Sequence, residues 1–183
     1  MSPGEGEAAL ELSAERPLVS KVALLLVVVG VVLALDVTTK LWIVQNFAPH
    51  ESEPVLGDFF RLTYTHNRGA AFGINVGEHS RVFFLTLSLV ALGVLAIIYR
   101  ATPAWDRLRL FGVALVSAGA VGNILDRLRY EAGVVDFLDV GIGSNRWPVF
   151  NVADMAVSIG AILLLTSFYV EERVARGDRR REE

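Results

Sequence analysis

The sequence predicts an all-α membrane protein with four transmembrane helices and a small extracytoplasmic β-sheet that forms a cradle. Hydrophobic residues make up 53% of the 183 residues, and charged residues make up only 20%. The apolar residues stand in long unbroken runs, which are typical of membrane spans and not of a soluble core. Four of these runs approach the roughly 20 residues that a helix needs to cross a bilayer core.

The four spans are placed at about 22–44, 82–99, 108–125 and 150–170. The first is not interpreted as a cleaved signal sequence, because a glutamate-rich leader precedes it and no small-x-small cleavage pattern follows it. Its purely apolar part, residues 22–35, is too short to cross alone, so the helix is expected to continue through Asp36 and Lys40. Two ionisable residues are therefore predicted inside a membrane span.

Lys and Arg are distributed unequally between the two sides of the predicted spans. Ten lie in the leader, around the connection between spans two and three, and after span four, whereas six are spread over the longer loops. Basic residues accumulate on the cytoplasmic side, so both termini are expected to be cytoplasmic. The chain then divides into a leader (1–21), a membrane domain (22–170) with extracytoplasmic loops (46–81 and 127–149), and a basic tail (171–183). The charge-rich leader and tail are interpreted as disordered segments or surface anchors.

Two segments outside the spans are candidate strands. Residues 58–65 (DFFRLTYT) are rich in aromatic and β-branched residues and partly alternate in polarity. Residues 133–140 are the second candidate. The two segments are expected to pair in a small sheet outside the membrane.

Cysteine and histidine usage limits the possible chemistry. The chain contains no cysteine and only three histidines, all in one extramembrane stretch. Disulfides, thiolate nucleophiles and a histidine-rich metal centre are therefore not expected. No metal or cofactor is predicted.

Polar residues gather at one depth of the predicted bundle. With both termini cytoplasmic, the outer half of span one, the end of span three (GNILDR), the start of span four (FNVAD) and the adjoining loops all meet near the outer interface. The inner halves of the helices are almost purely apolar. A carboxylate in lipid costs roughly 2.5–3.5 kcal/mol on insertion scales, so such a cluster predicts a functional site. Its members are Asp36, Lys40, Asn67, Asn123, Asp126, Asp136, Asn151 and Asp154.

Some of these residues also have purely structural interpretations. Asp36 and Lys40 are spaced i,i+4 with the acid first, the favourable geometry for a helix ion pair. Asp126 with Arg127 at a helix end equally fits an interfacial anchor.

Asp136 and Asp154 are harder to explain by structure alone. Asp154 stands about one turn into an apolar helix and has no neutralising neighbour in the sequence, although a helix N-terminus would stabilise its charge. Asp136 is flanked by apolar residues, and Asp139 could take its role in a shifted register. Asn123 and Asn151 fit interhelical hydrogen bonding as well as a site.

Two such acids suit hydrolysis without a metal or a thiol. Carboxyl groups held a few ångströms apart cannot both ionise, so one keeps its proton. The ionised acid can deprotonate a water while the protonated acid donates to the carbonyl oxygen of a peptide bond. Asparagine amides and the Lys40 ammonium could hold the acids and the substrate carbonyl in place.

Two other functional classes stay open on the residues alone. A small proton- or ion-coupled transporter also places acids and lysines in spans, but its pathway needs polar residues on both sides of the midplane. A noncatalytic membrane scaffold predicts that Asp136→Asn or Asp154→Asn leaves activity in cells intact.

The polar motifs resemble the lipoprotein signal peptidase (signal peptidase II) family over most of residues 22–170. Five blocks occur in the family's order. They are 36–40 (DVTTK), similar to D-x-x-T-K; 67–72 (NRGAAF), similar to N-x-G-A-x-F; 122–127 (GNILDR), similar to G-N-x-x-D-R; 134–137 (VVDF); and 150–154 (FNVAD). Val37 stands where the family commonly has glutamine, so that side-chain amide is absent from this chain.

The resemblance implies an aspartic endopeptidase whose catalytic dyad is Asp136 and Asp154. Supporting or substrate-binding roles are implied for Asp36, Lys40, Asn67, Gly69, Asn123, Asp126, Arg127 and Asn151. The implied substrate is a diacylglyceryl-modified prolipoprotein, cleaved before its lipidated cysteine at the outer face of the bacterial cytoplasmic (inner) membrane. Membrane lipid is the other expected partner; no nucleic acid is expected, and the chain is expected to be a monomer.

The loop over residues 47–81 would then cover the site. Its aromatic residues, Phe59, Phe60 and Tyr64, are expected to meet lipid or signal peptide. Gly69 and Gly73 would let the backbone approach substrate closely or allow gating. The alternative is a plain surface hairpin, because aromatic strand residues usually pack a core.

Overall fold

The computed structural model describes residues 3–69 and 77–182, with side chains for residues 21–69, 77 and 79–177. Four helices are present in this part: α1 (Pro3–Asn46), α2 (Ser80–Ala101), α3 (Arg107–Arg129) and α4 (Val152–Glu182). The strands are β1 (Ser52–Leu56), β2 (Phe60–Asn67), β3 (Val134–Ile142) and β4 (Asn145–Arg146), and a 3₁₀ turn (Gly77–His79) precedes α2.

The four predicted spans are confirmed. The helical segments long and apolar enough to cross a membrane are Lys21–Asn46, Ser80–Ala101, Arg107–Arg129 and Val152–Gly177. Large apolar side chains cover their outer surfaces; Leu26, Ile97 and Leu165 are 65–70% exposed. So large an exposed apolar surface is suited to lipid and not to water.

The first and last helices extend further than the sequence predicts. α1 begins at Pro3 and α4 ends at Glu182, so the expectation of disorder is wrong for the backbone of residues 3–20 and 171–182. Glutamate, alanine and leucine are the commonest residues of 3–20, and arginine and glutamate are the commonest of 171–182. These residues propagate a helix that has already formed. Their role as surface anchors stays a prediction.

Helix α3 lies at the centre of the bundle and packs on the other three helices. Its contact with α4 depends on small residues. A Cβ on Gly112 would lie 3.0 Å from the carbonyl oxygen of Gly160, and one on Gly119 would overlap the carbonyl oxygen of Ala153. Small residues let two helix backbones touch, which is the usual way that helices associate in lipid.

One antiparallel sheet of four strands, in the order β1-β2-β3-β4, covers one end of the bundle, here called the sheet end. The predicted strands match β2 and β3 to within two residues. β1 and β4 were not predicted. All five residues of β1 are exposed, and Pro54 interrupts its pattern, so it carries little of the apolar signal that marks a strand.

The sheet is fixed to the bundle by one apolar cluster. Val135 and Phe137 of β3 pack with Tyr64 of β2 against Ile43 near the end of α1. Successive side chains of a strand point to opposite faces, so this packing turns Asp136 to the other face of β3.

Replacing Gly119 by alanine is expected to lower the free energy of unfolding by about 1–3 kcal/mol, the usual range for overpacking a closed contact. The overlap is with backbone, which cannot rotate away. The control is Gly93→Ala in α2, where no atom lies within 4 Å of an added Cβ. Thermal unfolding in detergent should show a lower midpoint for Gly119→Ala alone, and equal midpoints would contradict the contact.

Candidate active site

The polar residues predicted to form a site meet at the sheet end. α1 and α3 end there, α4 begins there, and β3 crosses between α3 and α4. Asp136 on β3 is 1% exposed, and its partner across the sheet is Thr65 of β2. Asp154 is half-buried in the first turn of α4.

Asn151 and Asp154 form a reciprocal cap at the start of α4. The backbone N–H of Asp154 donates to Asn151 Oδ1 at 2.9 Å, and the backbone N–H of Asn151 donates to Asp154 Oδ2 at 3.3 Å. This is the capping-box arrangement with aspartate in the third helical position. The cap fixes the Asp154 carboxylate at the positive end of the helix dipole, where a negative charge is stabilised.

Two asparagine amides connect the two acids. Asn151 Nδ2 donates to Asp136 Oδ1 at 2.7 Å and lies 3.2 Å from Asn123 Oδ1. Asn123 Nδ2 donates to Asp154 Oδ1 at 2.8 Å. The asparagines do join helices, as their structural interpretation requires, but both also hold an acid.

The two acids differ in environment. Burial, followed by the negative charge of Asp154, raises the pKa of Asp136 to about 7, although hydrogen bonds from Asn67 and Asn151 and the charge of Lys40 act to lower that pKa. Near neutral pH, Asp136 therefore holds a proton for much of the time. Protonation of one acid beside an ionised partner is the arrangement that general acid–base hydrolysis needs.

Lys40 lies at the centre of a buried ionic cluster behind the acids. Its Nζ is 2.7 Å from Asp36 Oδ2, 2.9 Å from Asp126 Oδ2 and 3.3 Å from Asn123 Oδ1. The Asp36–Lys40 ion pair inferred from the spacing is therefore present. Asp126 is only 8% exposed, so its interpretation as an interfacial anchor is wrong.

Each carboxylate of this cluster also binds a backbone amide. Asp36 Oδ1 accepts from Ala153 N at 2.9 Å, and Asp126 Oδ2 accepts from Val135 N at 3.1 Å. Those two residues directly precede Asp154 and Asp136. A Cβ on Gly122 would lie 2.6 Å from Asp36 Oδ2, so the close approach of α3 requires glycine there. The cluster thus positions the backbone next to both acids.

Asn67 and Gly69 lie beside Asp136 in the loop that follows β2. Asn67 hydrogen-bonds to Asp136 through its side chain, and its Oδ1 accepts from Gly69 N at 2.9 Å. Gly69 has a φ of 123° and packs on the ring of Phe84, which leaves no space for a side chain. The rest of the predicted motif, Ala70 to Phe72, and Gly73 lie outside the described residues.

Arg127 approaches the acids from α3. Its guanidinium lies 5.7 Å from the ring centroid of Phe84 and donates to the carbonyl oxygen of Asn123 at 3.2 Å. Its backbone carbonyl accepts from Arg81 Nε at 2.6 Å. The charge is thus held beside the cavity that contains Asp154.

Asp139 does not replace Asp136. It accepts from Arg146 Nε at 2.6 Å and from Thr63 Oγ1 at 2.8 Å. Three positions separate the two aspartates on β3, so their side chains lie on opposite faces. The shifted register considered from the sequence is therefore wrong.

Two cavities open beside the acids, and each contains one of them. The Asp136 cavity has a volume of about 550 Å³ and the Asp154 cavity about 510 Å³. Asn67, Pro148 and Val149 line both. The Asp136 cavity also includes Pro49, His50, Thr65, His66, Arg68 and Ala132. The Asp154 cavity also includes Gly69, Arg127, Trp147, Phe150, Met155, Val157, Ser158 and Ile159.

Most of these lining residues are not predicted from the sequence. Pro148 and Val149 carry no pattern that marks a site, and Arg68 occupies a variable position of the 67–72 block, so only the fold shows that these three residues line a cavity. The Asn151–Asp154 cap had a signal, because an asparagine followed three positions later by an acid before an apolar run is a helix-start pattern. Within residues 3–69 and 77–182, no group of three or more His, Asp or Glu side chains is arranged to hold a metal.

The chain is similar in sequence to known proteins. The family model described as "Signal peptidase (SPase) II" matches residues 28–170. The chain is 40% identical over 162 residues to the lipoprotein signal peptidase of Syntrophus aciditrophicus (strain SB), covering 87% of this chain and 98% of that one. It is 50% identical over 133 residues to the lipoprotein signal peptidase of Moorella thermoacetica, covering 73% and 84% of the two chains.

Solved structures have the same fold. A bacterial membrane enzyme determined by the in meso method at 2.3 Å resolution superposes with a TM-score of 0.73 at 29% identity, over 81% of this chain and 88% of that one. A second, at 1.9 Å resolution, has a TM-score of 0.69 at 30% identity, over 79% and 91%. The matched region of the family model contains both acids, all of the Lys40 cluster and both connecting asparagines. The chain belongs to the signal peptidase II family of aspartic membrane peptidases.

Proposed function

We propose that this chain removes the signal peptide from diacylglyceryl-modified prolipoproteins by cleaving before the lipidated cysteine. The observation that carries the proposal is the hydrogen-bonded path from Asp136 through Asn151 and Asn123 to Asp154, with a cavity at each end. The substrate class is supported by the relatives, which are lipoprotein signal peptidases. A transporter or a noncatalytic scaffold is not favoured, because the family is one of peptidases.

The two acids have different roles in the proposed reaction. We assign the resting proton to Asp136, because its pKa is raised to about 7, and the ionised role to Asp154 at the helix N-terminus. Asp154 takes a proton from a water whose oxygen attacks the carbonyl carbon, while Asp136 donates its proton to the carbonyl oxygen. As the C–N bond breaks, the proton held by Asp154 passes to the amine of the departing cysteine, and Asp136 recovers its own.

The supporting residues hold this arrangement and receive the substrate. Asn67, Asn123 and Asn151 orient the acids, and the Lys40 cluster fixes the backbone beside them. The Asp154 cavity lies against α4 and has apolar walls, which suit acyl chains and a signal peptide. Arg127 at its edge can bind a carbonyl or ester oxygen.

The protein is a membrane-embedded enzyme that fits the bacterial inner membrane. Both termini are assigned to the cytoplasm from the distribution of Lys and Arg, and the sheet end then faces outward. The leader (1–21) and the tail (171–183) are assigned to the cytoplasmic side of the membrane domain (22–170). We further propose that the enzyme acts as a monomer in contact with lipid, because both acids and their partners come from one chain.

Asp136→Asn and Asp154→Asn are each expected to lower kcat by about 10³-fold or more, as for other groups that act as a catalytic unit. Cleavage of a diacylglyceryl-modified prolipoprotein is followed by gel shift. Asp139→Asn is the control, because this acid lies on the other face of β3, and its activity should change only a few-fold. Cleavage at the normal rate by either dyad variant would refute the assignment.

The dependence of rate on pH should be bell-shaped, with the alkaline limb near the pKa of Asp136. Above pH about 7 that acid loses the proton that it must donate, so kcat/KM should fall as pH rises. At low pH the rate should fall again, because the mechanism needs one ionised carboxylate in the pair to take a proton from water. Initial rates in detergent micelles test this, and a rate that stays constant from pH 6 to 9 would contradict it.

Lys40→Met should destabilise the fold by about 3–5 kcal/mol, because it leaves two buried carboxylates without their cation. Thermal unfolding measures the loss of stability. Activity at temperatures below the unfolding midpoint of the variant should also fall, because Asp36 and Asp126 then no longer fix the backbone amides of Ala153 and Val135. The control is Lys40→Met combined with Asp36→Asn and Asp126→Asn, which removes the unpaired charges. A triple variant no more stable than the single one would contradict the ionic explanation.

A further inference from the structure

The two cavities beside the acids differ in polarity and in position. The Asp154 cavity includes Met155, Val157 and Ile159, which belong to the membrane span Val152–Gly177. The lining of the Asp136 cavity comes from the chain after α1, from β2 and β3 and from loops, and none of it lies in a span. The Asp154 cavity therefore extends along an apolar membrane span, whereas the Asp136 cavity lies outside the spans.

A lipidated substrate has parts that match this division. Its signal peptide and acyl chains are apolar and must stay at membrane depth, whereas the chain that follows the cysteine is polar and leads into water. The residues shared by the two cavities, Asn67, Pro148 and Val149, lie between them. A peptide bond held at both acids therefore has apolar surroundings on one side and polar surroundings on the other.

Arg68 gives the Asp136 cavity a positive charge. It is exposed and directly follows Asn67, the residue that bonds to Asp136. The arginines on the neighbouring strands are paired, Arg61 with Asp58 and Arg146 with Asp139. Among the described residues no carboxylate is within ion-pair distance of Arg68, so its charge is available to a ligand.

The backbone at Arg68 is held close to the sheet. Gly133 has a φ of 105°, and a Cβ there would lie 2.9 Å from the Cα of Arg68. The other basic groups of the cavity are the imidazoles of His50 and His66. His66 Nε2 contacts the Tyr64 hydroxyl at 2.9 Å, so one of its ring nitrogens already has a protein partner. Arg68 is thus the permanent cation of this cavity.

We propose that the Asp136 cavity is the subsite for the residues that follow the lipidated cysteine, and that Arg68 makes it favour an acidic residue there. This inference rests on the proposed function. The acids perform the cleavage whatever the following sequence is, and Arg68 sets the preference among substrates. The interaction is that of an exposed ion pair, so its effect is modest and decreases with salt.

The test uses diacylglyceryl-modified prolipoprotein peptides that differ at one position. Asp, Asn or Lys is placed in turn at the second, third and fourth residue after the cysteine, and kcat/KM is measured for each. An exposed ion pair corresponds to a preference of up to about fivefold. The native enzyme should favour Asp over Lys by about that factor at one or more of the positions, and raised salt should reduce the preference.

Variants then identify the residue responsible. Arg68→Gln should remove the preference for Asp, and Arg68→Glu should reverse it in favour of Lys. The matched control is Arg129→Glu, the same charge change at an exposed arginine that lines a different cavity, beside Val37 and Leu41. The ratio of Asp to Lys rates should stay native in this control, which separates a local contact from a change in total charge.

The outcomes distinguish this inference from the function on which it rests. Equal cleavage of the Asp and Lys peptides at all positions, or the same change of ratio in Arg68→Glu and Arg129→Glu, would overturn the subsite while leaving the peptidase assignment intact. Cleavage of none of the peptides by the native enzyme would overturn the proposed function, and the subsite with it.

Discussion

The rest of the site depends on the two ion pairs of the Lys40 ammonium, with Asp36 and Asp126. The ammonium forms these ion pairs with two carboxylates that are buried in an apolar bundle, and an unpaired buried charge costs several kcal/mol. Through Asp36 it reaches the first turn of α4, and through Asp126 it reaches β3. Each of these carboxylates binds the amide just before one of the two acids of the proposed dyad. One cation therefore helps to set the position of both acids through the backbone next to them.

The length and orientation of the membrane spans explain why the helices and most of the polar cluster could be predicted from the sequence. Spans need about 20 apolar residues, so Asp36 and Lys40 stand out in the first of them, and the orientation of the spans brings the remaining polar motifs to the same end. The same argument fails outside the membrane. β1 is an exposed strand with little apolar alternation, and β4 has only two residues. The cavity residues Pro148 and Val149 carry no local signal of their position.

The local sequence pattern does not distinguish Asp136 from Asp139 as the acid of the site, whereas the packing of β3 does. Both acids stand among apolar residues, and the sequence leaves either register open. Packing of Val135 and Phe137 on Ile43 decides between them, because it commits one face of β3 to the core. The burial that raises the pKa of Asp136 follows from this choice, so the chemistry of the acid is set by an apolar contact on the opposite face of its strand.

The cap at the start of α4 also constrains the direction of attack. Asp154 Oδ2 accepts from the backbone of Asn151 and Oδ1 accepts from Asn123, so the carboxylate cannot rotate without losing both bonds. A carboxylate offers about four lone-pair sites, and those left over point along fixed directions. In the proposed mechanism, the water must therefore approach Asp154 in the plane of its carboxylate, along a direction that these two hydrogen bonds leave free.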